Sequence, residues 1–199
     1  TCTYNAERVL QRTLDSVKKQ TYCNIEHIIM DGGSSDKTLS MVRAYQHKIS
    51  RGENAHDIVV VSEPDRGIYH AMNKGVQVAT GDWVLFRNAG DYFFNDRVVA
   101  DVFAHYADRG EDVIEGGTRC FTADAYRDKA AAVPTGNVWR DANLSHPSAF
   151  IRREALLGNP YPEDLKIAAD YYFFQKMLLG GGRCAAYPSI VSLFECEQG

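Results

Sequence analysis

The sequence predicts an α/β fold in which a mostly parallel, twisted sheet is flanked by helices on both faces. Three observations carry this. Strand-like apolar runs alternate with segments of helical period through the first half of the chain. The runs Ile28-Ile29-Met30, Ile58-Val59-Val60-Val61 and Trp83-Val84-Leu85-Phe86 are short and apolar throughout, as strands buried on both faces are. The loops after the first and last of them, Asp31-Gly32-Gly33-Ser34-Ser35-Asp36 and Asn88-Ala89-Gly90-Asp91, set acids beside glycine, where open α/β sheets bind ligands.

Taken in order, residues 1–4 read as the end of a first strand. Asn5 is a good N-cap for a helix marked by Val9, Leu10, Leu14 and Val17, and Glu7 suits that helix's positive end. Residues 25–30 form the second strand, and a helix follows over about 37–47. A polar link at 54–57 leads to the third strand, and Pro64-Asp65-Arg66-Gly67 turns the chain. Ile68, Met72, Val76 and Ala79 recur at helical spacing, Gly81 stops that helix, and Trp83 opens the next strand. Beyond Asp91 the pattern is less regular. Residues 96–106 read as a helix, 113–116 as a short strand, and 118–139 as a hairpin or ordered loop. Residues 148–151 read as a strand, 153–157 as a helical turn, and 170–179 as an apolar helix that ends at Gly180-Gly181-Gly182. Two closing strands, 183–187 and 189–193, are expected around Pro188.

The bulk numbers narrow the function. A chain of 199 residues fits one domain with a full core. The net charge is −4 and no basic block occurs, so nucleic acid is not an expected partner, and any anionic ligand must be held by local groups. Of the five cysteines none forms a CxxC pair, which predicts no disulfide framework and a reducing, cytoplasmic setting. No apolar run reaches membrane-spanning length and no signal peptide is visible. Thr1 stands in what reads as a strand tail, so a few residues are expected to precede it.

Four groups of residues carry chemistry. Thr3-Tyr4-Asn5 with Glu7 lies at the mouth of the first strand and also reads as a plain helix start. Asp31 ends the second strand, where a carboxylate can accept hydrogen bonds from a base or a ribose; as a turn the same loop needs no ligand. Neither a GxGxxG fingerprint nor a GKS or GKT phosphate loop is present. Asn88-Ala89-Gly90-Asp91 reads either as a closing turn or as a site for Mg²⁺ or Mn²⁺, with one carboxylate from Asp91 and a neutral oxygen from Asn88. Asp170 opens an aromatic helix and reads either as its N-cap or as a partly desolvated general base.

These pieces, in this order, resemble the family-two inverting glycosyltransferases of bacterial polysaccharide biosynthesis. The resemblance rests on Thr-Tyr-Asn-x-Glu at 3–7, Asp-Gly-Gly-Ser-Ser-Asp at 31–36, Ser-Glu-Pro-Asp-Arg-Gly-Ile-Tyr-x-Ala-Met-Asn-Lys-Gly at 62–75, and Ala-Thr-Gly-Asp-Trp-Val before Asn-Ala-Gly-Asp at 88–91. Ser-His-Pro-Ser-Ala-Phe-Ile-Arg-Arg at 145–153 and Ala-Ala-Asp-Tyr at 168–171 complete it. It implies the GT-A fold, Rossmann-like, with a smaller mixed region on the acceptor side. It implies one domain over 1–199, with a nucleotide-sugar half at 1–116 and an acceptor half at 117–199. It implies that Thr3, Asn5, Glu7 and Asp31 line the nucleotide pocket, that Asp65 and Arg66 close it, and that Asn73 supports the donor. Asp91 would hold Mn²⁺ or Mg²⁺, Asp170 would be the catalytic base, and His146 would lie near the acceptor. The partners implied are a nucleotide-sugar donor, a UDP-sugar ahead of a GDP-sugar, and a saccharide or lipid-linked acceptor, with peripheral membrane association at the inner face in the lipid-linked case.

Two loops depart from the pattern. Asn88 and Gly90 stand where the usual metal loop carries acids, and Gly32 stands where many relatives carry a second Asp. A nucleotidyltransferase and a non-catalytic nucleotide-sugar or glycan-binding domain are the alternative readings. The aromatics Trp139, Tyr161, Tyr171 and Tyr172 are candidates for stacking on sugars, although such residues are more often core.

Overall fold

A computed structural model describes residues 1–49, 56–106, 109–122, 124–132 and 144–196. Asn54 and Trp139 lie outside the described residues. A three-stranded parallel sheet is built from β1 (Cys2–Thr3), β2 (Glu26–Asp31) and β3 (Asp57–Ser62), side by side in that order. Its two faces are covered as the apolar runs require. Ile29 packs with Leu10 and Leu14 of α1 (Leu10–Lys18) and with Val42, Tyr45 and Ile49 of α2 (Thr38–Ile49). Met30 and its neighbour Ile28 face the other way, onto Ala71, Met72 and Val76 of α3 (Ile68–Val78). Alternate residues of one strand thus feed two cores. Gly75 lets α3 lie close to the sheet, because a β-carbon there would meet Met30 Cγ at 3.3 Å. That contact accounts for a glycine inside a helix, where it costs about 1 kcal/mol against alanine.

A second, mixed sheet has six strands. Its path is β4 (Trp83–Leu85), β8 (Ala149–Arg152), β6 (Val113–Phe121), β9 (Cys184–Glu195) and β5 (Tyr92–Phe93), with β7 (Tyr126–Lys129) hairpinned onto β6. The α/β architecture is the expected one, but the mixed part is the larger in strands. The Trp83 run does not extend the parallel sheet: β4 pairs antiparallel with β8, in the register Trp83 to Arg152, and the Arg152 guanidinium lies over the Trp83 ring at 4.2 Å. A strand apolar on both faces carries no mark of its partner. Only the segment after β4 returns to β1. Cys2 N–H donates to the Arg87 carbonyl at 3.2 Å, and Ala89 N–H to the Cys2 carbonyl at 3.1 Å, forming a parallel bridge between Cys2 and Asn88.

The remaining helices are α4 (Val98–Tyr106), α5 (Arg153–Gly158) and α6 (Ala169–Leu179). The two strands expected around Pro188 are one strand, β9, whose register against β6 shifts between Glu115 and Gly117. The irregularity accommodates a residue with no N–H to give.

The expectation of an all-thiol chain is corrected. Cys120 pairs with Cys196 in a disulfide, with Cα atoms 5.8 Å apart, while Cys2, Cys23 and Cys184 are free. Spacing in sequence does not reveal a pair separated by 76 residues. Parallel pairing of β6 with β9 makes it, by setting Cys120 opposite Phe194. The cysteine argument for a reducing compartment therefore falls away. Among the described residues no helix is long and apolar enough to cross a membrane.

Candidate active site

The carboxyl ends of the parallel strands gather most of the donor-side residues. The register sets Thr3 beside Asp31 and Asp31 beside Ser62, and the Cys2–Asn88 bridge brings the Asn88–Asp91 loop alongside. Neighbouring strands lie about 4.8 Å apart, so these groups share one short edge.

Asp31 is 2 % exposed and its carboxylate is saturated. It accepts the N–H groups of Gly33 and Ser34 at 3.1 and 3.0 Å, the Ser34 hydroxyl, and the Ser62 hydroxyl at 2.7 Å. It shapes the loop rather than presenting a free oxygen. Thr3 is buried, and its Oγ1 has no partner among the described residues.

Asn5 and Glu7 do not serve α1, which starts at Leu10 without a side-chain cap. Asn5 takes a left-handed conformation, φ 47°, and its Oδ1 accepts Ser35 N–H at 2.9 Å. Glu7 accepts Lys37 N–H at 3.0 Å, while Glu7 and Ala6 give their own N–H groups to Asp36 at 3.1 Å and Thr38 at 2.8 Å. The two loops cap each other, and Glu7 satisfies the start of α2 instead.

Asp65 reaches back over this edge. Its Oδ1 accepts Gly67 N–H at 2.9 Å, and its Oδ2 lies where a side chain on Gly32 would collide with it, 2.6 Å from the β-carbon position. The Tyr4 ring borders the same point at 3.4 Å and is 66 % exposed. Arg66 pairs with Glu163. Asn73 clamps the backbone of Tyr161, accepting its N–H at 2.9 Å and donating to its carbonyl at 2.8 Å, and it also reaches Glu163 at 3.3 Å.

The Asn88–Asp91 loop is closed on itself, with Asn88 N–H donating to Asp91 Oδ2 at 3.2 Å and Asp91 N–H to the Asn88 carbonyl at 3.0 Å. Burial raises the Asp91 carboxyl above its usual range, against the opposing charges of Arg87 and Arg12 and the Asn88 N–H. Arg87 is 3 % exposed. Its Nη1 donates to the Pro147 carbonyl at 3.0 Å and to Ser192, and its guanidinium lies over Phe93 at 4.0 Å. Burial brings it down to about 9, although Asp91 favours its charge. No group of three or more His, Cys, Asp or Glu side chains suited to a metal occurs among the described residues. Asn88 Oδ1 is nevertheless buried with no partner among the described residues. One carboxylate and one orphaned neutral oxygen fit a hard divalent cation that takes its remaining ligands from phosphate and water.

The acceptor-side residues meet around Tyr161. His146 stands on a 3₁₀ turn, His146–Ser148, is 8 % exposed, and stacks on Phe86 with ring centroids 5.0 Å apart. Its Nε2 meets the Tyr161 hydroxyl at 2.9 Å. Burial pushes its imidazole down to about 4, against the pull of the Asp170 charge, so it is neutral near pH 7. Tyr161 is itself buried, which removes it from the candidates for sugar stacking. Asp170 is not the N-cap of α6. Ala168 is, in a left-handed conformation with φ 66° and no side-chain cap bond. Asp170 Oδ1 accepts the Tyr69 hydroxyl at 3.0 Å.

The fold thus joins Thr3, Asp31, Asp65 and the Asn88–Asp91 loop on one side, and His146 and Asp170 on the other. Asn73 connects the two through Tyr161. Sequence reasoning missed Tyr69, Arg87 and Glu163, and gave Tyr4 no role of its own. A signal existed for Arg87, a charged residue that closes an apolar strand. A cavity of about 420 Å³ between the sheets is lined by Thr1, His27, Gly75 and Trp83, among others, and by none of Asp31, Asp65, Asp91 or Asp170. The candidate site is therefore the strand-end surface.

Comparison with known proteins places the sequence in a family. The family model described as glycosyl transferase family 2 matches residues 1–156. A PGL/p-HBAD biosynthesis glycosyltransferase of Mycobacterium bovis is 29% identical over 194 residues, covering 96% of this chain and 70% of its own. The crystal structure of S. aureus TarS 1-349 in complex with UDP-GlcNAc superposes with a TM-score of 0.78 at 23% identity, covering 100% of this chain and 58% of that one. The mannosyltransferase PcManGT from Pyrobaculum calidifontis, in complex with GDP-Man and Mn²⁺, gives a TM-score of 0.73 at 22% identity, covering 100% of this chain and 56% of that one. The chain thus spans less than two thirds of the length of these solved structures.

Proposed function

We propose the reaction from one premise: this chain belongs to glycosyl transferase family 2. It moves a sugar from a nucleoside diphosphate sugar, a UDP-sugar ahead of a GDP-sugar, to a hydroxyl of a saccharide or lipid-linked acceptor in cell-envelope glycoconjugate synthesis. Relatives support the donor class and the setting: the TarS structure holds UDP-GlcNAc, and the M. bovis relative is named for PGL/p-HBAD biosynthesis. The observation that carries the reading is the Cys2–Asn88 bridge, which sets the loop carrying Asp91 against the strand ends carrying Thr3 and Asp31.

In this reading Tyr4, Thr3 and the Gly32–Asp65 contact define the nucleoside pocket. Asn5, Glu7 and Asp31 keep its loops in shape, and Arg66 closes it. Asp91 and Asn88 Oδ1 would hold Mn²⁺ or Mg²⁺, which supplies positive charge where the leaving diphosphate gains negative charge. Asp170 accepts the proton of the acceptor hydroxyl. The freed oxygen pair forms the new bond to the anomeric carbon, and the pair of the old carbon–oxygen bond leaves with the diphosphate. A single displacement of this kind inverts the anomeric centre and needs one base. His146, buried and neutral, orients the acceptor wall through Tyr161 and Phe86 and does not take the proton.

The test is thermal unfolding with a panel of UDP- and GDP-sugars, each with and without Mn²⁺. A ligand at a hundred times its dissociation constant stabilises a fold by about 2.7 kcal/mol, a shift of several degrees. A shift with one nucleotide class that grows with Mn²⁺ is expected. No shift across the panel would overturn the reading.

A further inference from the structure

We propose that Tyr69 is the positioning residue of Asp170: it fixes one carboxylate oxygen and leaves the other to take the acceptor's proton. The inference rests on reading Asp170 as the base. Tyr69 lies in the first turn of α3, and its hydroxyl donates to Asp170 Oδ1 at 3.0 Å across 101 residues of sequence. The N-cap of α6 is a left-handed Ala168 with no side-chain cap bond. Tyr69 is held in turn by its ring, which packs on Tyr161 with centroids 5.5 Å apart.

Burial and the charge of Asp170 both raise the Tyr69 phenol, so it keeps its proton and can only donate to the carboxylate. Among the described residues, Tyr69 from α3, His146 from the 3₁₀ turn and Tyr161 from the segment before α6 are titratable groups that feel the Asp170 charge. His146 and Tyr161 are engaged with each other, and none of the three carries a charge near pH 7. The Tyr69 hydrogen bond therefore fixes the direction of the Asp170 carboxylate. The placement has a consequence for the donor side. Tyr69 stands two residues after Gly67, whose N–H is bound by Asp65, so the segment that covers the donor ends in the residue that holds the base.

The experiment compares wild type with Tyr69→Phe, after both melt as folded proteins. We expect turnover to fall about 10- to 100-fold, the range for a hydrogen bond to a charged group, with donor affinity unchanged. Without that donor the ionised carboxylate is less stabilised, so the acid limb of the turnover profile should move to higher pH in the variant. The Asp170 carboxyl, followed by carbon NMR against Asp170→Asn, should move in the same direction. An unmoved acid limb and carboxyl titration, whether turnover falls or not, would overturn the proposal. If Tyr69→Phe does not fold, 3-fluorotyrosine placed at position 69 alone decides: it is a stronger donor, so the acid limb should move down, and no movement overturns. Should wild type bind donor but Asp170→Asn keep full turnover, the reading of Asp170 as base fails. The carboxyl titration then still tests the Tyr69 contact.

Discussion

The Asp65 carboxylate occupies the space that a side chain on Gly32 would need, 2.6 Å from the β-carbon position. The contact leaves no room for a side chain at position 32 unless Asp65 moves. A second carboxylate there would collide with the first and repel it. Gly32→Ala should displace the Asp65 side chain from the strand ends, read as weaker donor binding. In an Asp65→Ala background the same change should cost almost nothing. Equal losses in both backgrounds would show that the two residues act independently.

Asp170→Asn should lower turnover about 10²- to 10⁴-fold, the usual contribution of a general base, with the donor dissociation constant unchanged. Stopped turnover with intact donor binding, read in the same preparation, is the decisive pair of measurements.

Asp91→Asn should abolish the part of the donor-induced melting shift that depends on Mn²⁺ and lower turnover by about 10²-fold or more. Asn88→Ala removes only the neutral oxygen and should weaken metal response less. If Mn²⁺ raises donor binding equally in wild type and Asp91→Asn, the cation is held elsewhere.

His146 gives a pH dependence with a definite sign. Its ordinary value is about 6.5, the unfolded reference, and in the fold it is pushed down to about 4. Above the higher value neither state binds the proton, and the stability is fully present. Between the two values the unfolded chain binds it and the folded chain does not, so stability falls as pH drops. His27 shares this direction, so the difference between wild type and His146→Gln is the readout. Between pH 6.5 and 4 the wild type should lose up to about 1.4 kcal/mol per pH unit more than the variant. Parallel curves would mean that His146 is charged in the fold.

Cys196→Ser should destabilise the fold, since the Cys120–Cys196 bridge closes a loop across 76 residues. Bridges of this kind contribute about 2–4 kcal/mol. Reductant should lower the wild-type melting temperature and leave the variant unmoved.

Much of the fold was legible in the sequence because its signals are short-range. The apolar runs at Ile28 and Ile58 became β2 and β3, and the helical spacing of Ile68, Met72 and Val76 became α3. The motif order brought Thr3, Asp31, Asp65, Asp91 and Asp170 to notice before any geometry was known. Local reading failed where the partner was distant. Asn5 looked like the cap of α1, yet it is bound to Ser35 in the next loop, and Glu7 caps α2 rather than its own helix. β4 found β8, not β1, because pairing is decided between strands and an apolar run fits either.

The sequence by itself determined which residues alternate between two buried faces, where the chain turns and which acids stand at strand ends, since these follow from periodicity and turn chemistry within a few residues. Only the tertiary structure decided what those acids touch. It joined Tyr69 to Asp170 across 101 residues and Asn73 to Tyr161 across 88, and it stacked His146 on Phe86. It also saturated Asp31 with four donors and left Asn88 Oδ1 without one. The physical reason is that desolvation and hydrogen-bond satisfaction belong to the packed assembly and have no value along an isolated chain.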